Sequence, residues 1–267
     1  MIRHMTRLAV MVALLLALAL PAGVAAQTTL RALTTGDAGR GWEAVGRLDF
    51  DDGGFCTASL VGADLILTAA HCLYDSETRQ KVDMSSAQFR MGLRNDRAIV
   101  VRRIKEAYPH PDYAYQGPHQ FDRAAEDMAL LRLMQPVRIS PIEPFQLGDR
   151  PAIGAALQVV SYAEGRENLP SLQQSCTLLQ VIGERMVTDC DVDFGASGAP
   201  VFVMKNGRPR IVGIVSAKGK LGDRKVALLA DAGEMHRMLT DLRQSGGQRA
   251  QMVGGAKFIS VAPRVTP

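Results

Sequence analysis

Past residue 26 this 267-residue chain has no further apolar run as long as the roughly 20 residues that a bilayer-spanning helix needs. The mature part is therefore expected to have no membrane partner. A basic surplus is also missing from the body of the chain. The formal charge is +4, but two cationic side chains (Arg3, Arg7) fall in residues 1–26 and three (Arg249, Lys257, Arg264) in residues 244–267. Neither stretch holds an acid, which leaves residues 27–243 near −1. Nucleic-acid and anionic-membrane partners require a concentrated basic face, so neither is expected. Cysteine is scarce: there are four, and no pair has the close spacing of a zinc knuckle. No metal and no cofactor is expected. Long helical periodicity is absent from most of the chain, which argues against an all-helical fold.

What is present starts with "MIRHMTRLAVMVALLLALALPAGVAAQ". A charged start, an apolar middle and a small-residue exit at Val24-Ala25-Ala26 describe a secretory signal peptide over residues 1–26, not an uncleaved anchor. The protein is expected to be secreted or periplasmic. Export places Cys56, Cys72, Cys176 and Cys190 where disulfides persist. Three pairings are open, and joining near neighbours, 56 with 72 and 176 with 190, is preferred because it closes two short loops.

Residues 27–40 are polar and turn-rich and read as a leader. From Trp42 onward brief apolar runs alternate with turn signals: "EAVGRLDF", "CTASLVGADLILTAA", "AIVVRRIKEA", "DMALLRLM", and later "ALQVVSYA", "APVFVM", "PRIVGIVSA" and "KVALLAD". Many short β-rich segments at regular spacing predict an all-β sandwich or barrel. The proline-rich "QPVRISPIEPF" separates two similar halves, 41–138 and 145–243, so two packed barrels are the simplest architecture. One helix is predicted. Met235, Met238, Leu239 and Leu242 share a face, and Asp231 with Glu234 forms a capping pattern. Residues 244–267, with Gly pairs and no sustained period, read as a flexible tail.

Three stretches carry chemistry. In "DLILTAAHCLYD", His71 follows an apolar strand and sits beside Cys72, a rigid setting of the kind a general base needs. In "AEDMALLRLMQPV", Asp127 heads a strand, where a part-buried carboxylate can fix a nearby imidazole. Asp112 and Asp122 are rivals but lack the strand directly behind them. In "DVDFGASGAPVFV", Gly195 allows a turn that aims the N–H groups of Gly195 and Ser197 at one point. Gly198 and Ala199 keep bulk away from the Ser197 hydroxyl.

Taken together, "LTAAHC", "DMALLRL" and "GASGAP" resemble the three catalytic blocks of the chymotrypsin/trypsin-like serine peptidases, in the His, Asp, Ser order of that superfamily. "GFCTASLV" is similar to the strand whose cysteine bridges to the one after the histidine, and "VGIVSA" to the strand that binds the substrate backbone. The resemblance runs from about Trp42 to Arg243. It implies two six-stranded antiparallel β-barrels with a C-terminal helix and an active site between the barrels. His71 would be the general base, Asp127 its orienter and Ser197 the nucleophile, with Gly195 and Ser197 as oxyanion donors. The implied partner is a protein or peptide substrate, and the implied state a monomer.

The sequence departs from the family at Ala196. Animal digestive members usually carry aspartate there, which pairs with the new N-terminus freed by cleavage. A cut after Arg40 would find no such partner, so the pocket is expected to form without it. This departure, and the short second half, resemble bacterial glutamyl-endopeptidase-like members more closely. For specificity, Asp191 lies six residues before Ser197, and Lys218 two after Ser216. Lys218 has three open readings: obstructing the pocket, pairing with Asp191, or attracting an acidic substrate. The resemblance also implies that Ser216 lies near the Asp–His pair, with its carbonyl toward substrate. His110, in "YPHPDY", reads as a surface-loop residue. Two rival functions fit the residues less well. A peptidase-shaped binding protein would normally have lost a triad member. An α/β-hydrolase needs G-x-S-x-G, and "GASGA" supplies one of its two glycines, in the wrong residue order.

Overall fold

A computed structural model describes residues 29–117, 121–244, 250–253 and 256–259. The signal peptide expected over residues 1–26 lies outside them. An N-terminal strand, β1 (Leu30–Ala32), precedes six that close into a first ring: β2 (Val45–Asp49), β3 (Phe55–Gly62), β4 (Leu65–Thr68), β5 (Gln88–Met91), β6 (Val100–Pro109) and β7 (Ala129–Leu133). They pair antiparallel in the order β6-β5-β2-β3-β4-β7, and β7 returns to β6. After β8 (Gln146–Leu147), a second ring forms from β9 (Ala156–Ala163), β10 (Arg166–Ile182), β11 (Arg185–Thr188), β12 (Pro200–Lys205), β13 (Arg208–Leu221) and β14 (Arg224–Asp231). Its order is β10-β11-β14-β13-β12-β9, closed by β9 on β10. The fold is the expected double β-barrel followed by one helix, α1 (Ala232–Gln244).

The strands form where the sequence alternates or is apolar throughout. In β6, Val100 and Ile104 turn inward while Val101, Arg103 and Lys105 face solvent, and past a register slip between Ile104 and Glu106 the buried pair is Ala107 and Tyr108. In β4 all four residues of "LILT" are buried, because one side fills the barrel and the other is covered. One apolar cluster joins Leu60, Phe89 and Leu130 of the first ring to Val160, Phe202 and Ile214 of the second. Trp42, Phe145 of the linker and Phe202 lock this junction, with ring centroids 4.8 to 6.4 Å apart. Helix α1 buries Met235, Met238 and Leu242 as predicted. The Asp231 carboxylate accepts from the Gly233 amide at 2.6 Å as its N-cap. Among the described residues no helix is long and apolar enough to cross a membrane.

Two segments differ from expectation. Within the stretch read as a leader, β1 pairs antiparallel with β10, Leu30 opposite Gln173, and Leu33 enters the core at 1 % exposure. One well-placed leucine and three residues of ladder suffice, too few to register as a pattern. Within the stretch read as a flexible tail, β15 (Ala250–Val253) and β16 (Ala256–Ile259) form a hairpin, and β16 runs parallel to β6. Two short apolar segments flanking a Gly-Gly pair are a hairpin signal, though not a sustained period.

The chain forms both near-neighbour disulfides, Cys56–Cys72 and Cys176–Cys190, across sequence separations of 16 and 14. Loops of that size constrain the unfolded chain by about 3 kcal/mol. The Cys176→Ala/Cys190→Ala double variant is therefore expected to lose about 3 kcal/mol of stability, read from chemical denaturation. An unchanged midpoint would contradict this.

Candidate active site

Strand β4 ends at Thr68, and fully buried Ala69 and Ala70 lead into a single 3-10 turn, Ala70–Leu73, that carries His71. The disulfide from Cys72 to Cys56 ties this turn to β3. The imidazole is thus held by strand, turn and covalent bond, yet its side chain keeps 28 % exposure. Asp127 stands two residues before β7 and is 4 % exposed. Its carboxylate accepts three hydrogen bonds: from the His71 backbone amide at 2.8 Å, from His71 Nδ1 at 2.7 Å and from Ser216 Oγ at 2.5 Å. An ionised carboxylate only accepts, so Nδ1 carries the proton and Nε2 of neutral His71 presents its lone pair. Burial by itself pushes the imidazole down. The charge and hydrogen bond of Asp127 outweigh it and hold His71 above its ordinary value of 6.5.

Ser216 reaches Asp127 through a local irregularity. The β13–β14 register slips between Val215 and Ala217, a bulge that re-aims the intervening side chain. The same strand also anchors the serine turn, because the Gly198 amide donates to the Val215 carbonyl at 2.7 Å. On the other side, the Thr57 amide of β3 donates to the Ser197 carbonyl at 2.9 Å. Gly198 fits so closely against the end of β4 that a Cβ there would lie 2.2 Å from Thr68 Oγ1 and 2.7 Å from the Ala69 nitrogen. The chain thus brings His71, Asp127 and Ser216 into contact and seats the Ser197 turn against the residues that lead to His71. Among the described residues no hydrogen bond joins the Ser197 hydroxyl to His71, a contact that is often long until substrate binds.

The turn directs its amides outward. The Phe194 carbonyl accepts from the Glu164 amide at 2.8 Å, and the Ala196 carbonyl from the Ala199 amide at 2.9 Å. In a trans peptide the N–H points opposite its carbonyl. The N–H groups of Gly195 and Ser197 therefore face away from these partners, and neither has a hydrogen-bond acceptor among the described residues. Gly195 sits at φ +87° with the Phe55 ring against it, where any Cβ would clash at 2.3 Å.

Of the residues considered for specificity, Asp191 is exposed, and its amide donates to Gln173 Oε1 at 2.8 Å. Lys218 does not pair with Asp191. Its Nζ donates to Asp193 Oδ1 at 2.6 Å and lies 3.7 Å from the centroid of the Phe194 ring. Of the two acids in this loop, Asp193 is the one within reach of Lys218 on β13. Lys218 holds the Asp193 carboxyl below the usual carboxylate range. Beside this loop the guanidinium of Arg166 donates to Ser161 Oγ at 3.0 Å, and burial holds it below its ordinary value despite the nearby charges of Asp191 and Asp193.

His110 is not the surface-loop residue expected. It is 7 % exposed, its Nε2 lies 3.4 Å from Glu234 of α1, and its Nδ1 accepts from the Asp112 amide at 3.3 Å. Helix α1 covers the loop, which no local pattern announces. The rival acid Asp122 is fully exposed and pairs with Arg185 at 3.2 Å. Cys56, His71 and Cys72 lie within metal-binding reach of one another, but both sulfurs are spent in the disulfide. The sequence reading missed three tyrosines beside the site. Tyr74, just past the His71 turn, stacks on Tyr115 at 4.9 Å and meets Tyr113 at 6.0 Å. Burial, then the Asp127 charge, raises the Tyr113 phenol.

Comparison with known proteins gives the family. The trypsin family profile matches residues 37–231. The thrombin-like enzyme bilineobin of Agkistrodon bilineatus is 28 % identical over 122 residues, which is 44 % of this chain. The match spans about half the length of that relative, 47 %.

The pairing of His71 with Asp127 has a measurable sign. Removing the carboxylate leaves burial alone, which favours the neutral ring. Asp127→Asn is therefore expected to bring the His71 titration, followed by NMR of the ring protons, from above 6.5 to below it. Because the folded value is raised, the pair stabilises the fold fully below the unfolded value, and this contribution fades as pH rises through the folded value. An unmoved titration in the variant would refute the coupling.

Proposed function

The chain belongs to the trypsin family of serine peptidases, and from that premise we propose that it is a secreted serine endopeptidase that works through an acyl-enzyme. The observation that carries this reading is the run of contacts from Ser216 to Asp127 to His71, beside a serine turn with two outward-facing amides. In the proposed reaction His71 Nε2 takes the Ser197 proton as the hydroxyl attacks the scissile carbonyl. Asp127 stabilises the imidazolium that results. The carbonyl oxygen gains negative charge and is met by the Gly195 and Ser197 amides, a contribution of about 2.7–4 kcal/mol for such a donor. His71 then protonates the leaving amine, and water repeats the sequence to release the acid.

The substrate is a protein or peptide, and the working form is a monomer freed of residues 1–26. The Ser216 carbonyl and the Lys218–Asp193 pair border the site where the substrate side chain would enter. The expected closeness to glutamyl-endopeptidase-like enzymes is not supported, since the relative matched is a thrombin-like enzyme.

Two experiments test it. A fluorophosphonate is expected to label Ser197 of the folded protein. Ser197→Ala is expected to abolish labelling and to lower kcat on the order of 10⁶-fold. Folded protein that resists the label would instead indicate a binding protein without turnover. Separately, Arg40 is exposed and pairs with Asp37, and Ala196 offers a new N-terminus no carboxylate. Arg40→Gln is expected to leave peptidase activity unchanged. An inactive variant would show that cleavage at this point is required.

A further inference from the structure

We propose that Thr57 is a positioning residue: its hydroxyl fixes Gly195 with the oxyanion-binding amides facing outward, in place of an ion pair at position 196. The inference rests on the reading of Ser197 as nucleophile. Four consecutive carbonyls of the serine turn are engaged on its inner side. Phe194 accepts from the Glu164 amide, Ala196 from the Ala199 amide and Ser197 from the Thr57 amide. The fourth, Gly195, accepts from Thr57 Oγ1 at 2.9 Å.

Thr57 itself is fully buried on β3 and its hydroxyl has one proton to give. The Tyr162 amide donates to Oγ1 at 3.1 Å and fills one lone pair. The proton then goes to Gly195 at 2.9 Å in preference to the Tyr162 carbonyl at 3.3 Å. The Thr57 carbonyl is held in turn by Thr68 Oγ1 at 2.9 Å, which fixes the backbone that carries the donor.

The consequence falls on a glycine of the turn. Glycine rotates about both torsions at little cost. At Gly195 the peptide on one side is pinned by Glu164 and the peptide on the other by Thr57, which together set φ and ψ. Loss of the Thr57 bond would leave the Gly195–Ala196 peptide held only from its other end, where the Ala196 amide donates to the Asp193 carbonyl at 2.9 Å, and would loosen ψ of Gly195 between the two oxyanion-facing peptides. The Glu164 bond comes from backbone that any residue supplies. The Thr57 bond comes from a side chain, so it is the one that substitution can remove while the Thr57 amide keeps its bond to Ser197.

The test compares mature wild type with Thr57→Val, which keeps the shape without the hydroxyl, and Thr57→Ser, which restores it. If Thr57→Val does not fold, Thr57→Ala carries the same comparison. Two readouts are taken: amide hydrogen exchange over residues 193–199, and kcat with KM on a peptide substrate, normalised to titrated active sites. The loss of the hydroxyl is expected to speed exchange about tenfold. It should lower kcat on the order of ten- to a hundredfold, less than the loss of a donor outright, with KM little changed. Thr57→Ser should recover both. Unchanged exchange and kcat in Thr57→Val, or a Thr57→Ser as impaired as Thr57→Val, would overturn the proposal. An inert wild type would refute the peptidase reading, while the exchange comparison would still decide the role of Thr57.

Discussion

A buried carboxylate governs this molecule. Taking Asp127 out of water costs several kcal/mol unless donors replace the lost hydration, and three donors do so. Two belong to His71 on the first barrel, and the third, Ser216, belongs to the second. Satisfying the charge therefore requires the barrels to meet in one relative position. The aromatic contacts of Trp42, Phe145 and Phe202 supply apolar area for that junction but little direction. The hydrogen bonds to Asp127 supply the direction. Docking of the barrels and assembly of the site are, in energetic terms, the same event.

The parts of the fold that rest on local sequence were legible before any coordinates. Strand runs such as "LILT" and "DMALLRL", the Met235–Leu242 stripe of α1 and the Asp231 cap depend on neighbours a few residues away, and each forms where the pattern puts it. His71 and Asp127 were legible from the strands beside them, and Ser216 only through the resemblance of "VGIVSA" to a family strand. What was not legible depends on partners more than a hundred residues apart. Thr57 meets Gly195 across 138 positions, and His110 meets Glu234 across 124. Lys218 shows the limit well. Its reach toward the 191–195 loop was foreseeable, but the choice of Asp193 over Asp191 depends on which way each acid faces. The strands at 30–32 and 256–259 escaped for another reason: each owes its form to pairing with β10 or β6, not to its own periodicity.

Alanine at position 196 changes what holds the serine turn. It is fully buried, and a turn that used a carboxylate there would depend on a cation arriving to meet it. Here the inner side of the turn is fastened by uncharged hydrogen bonds from Glu164, Thr57 and Ala199. Each bond contributes only about 1 kcal/mol net, but leaving any of these buried groups unpaired costs more than the bond itself contributes. The arrangement is therefore cooperative, and it does not titrate. Charges near the turn lie at its rim, where Lys218 meets Asp193 on the exposed side. It follows that the pH dependence of the centre is set by the imidazole of His71, while the shape of the turn stays constant across the same range.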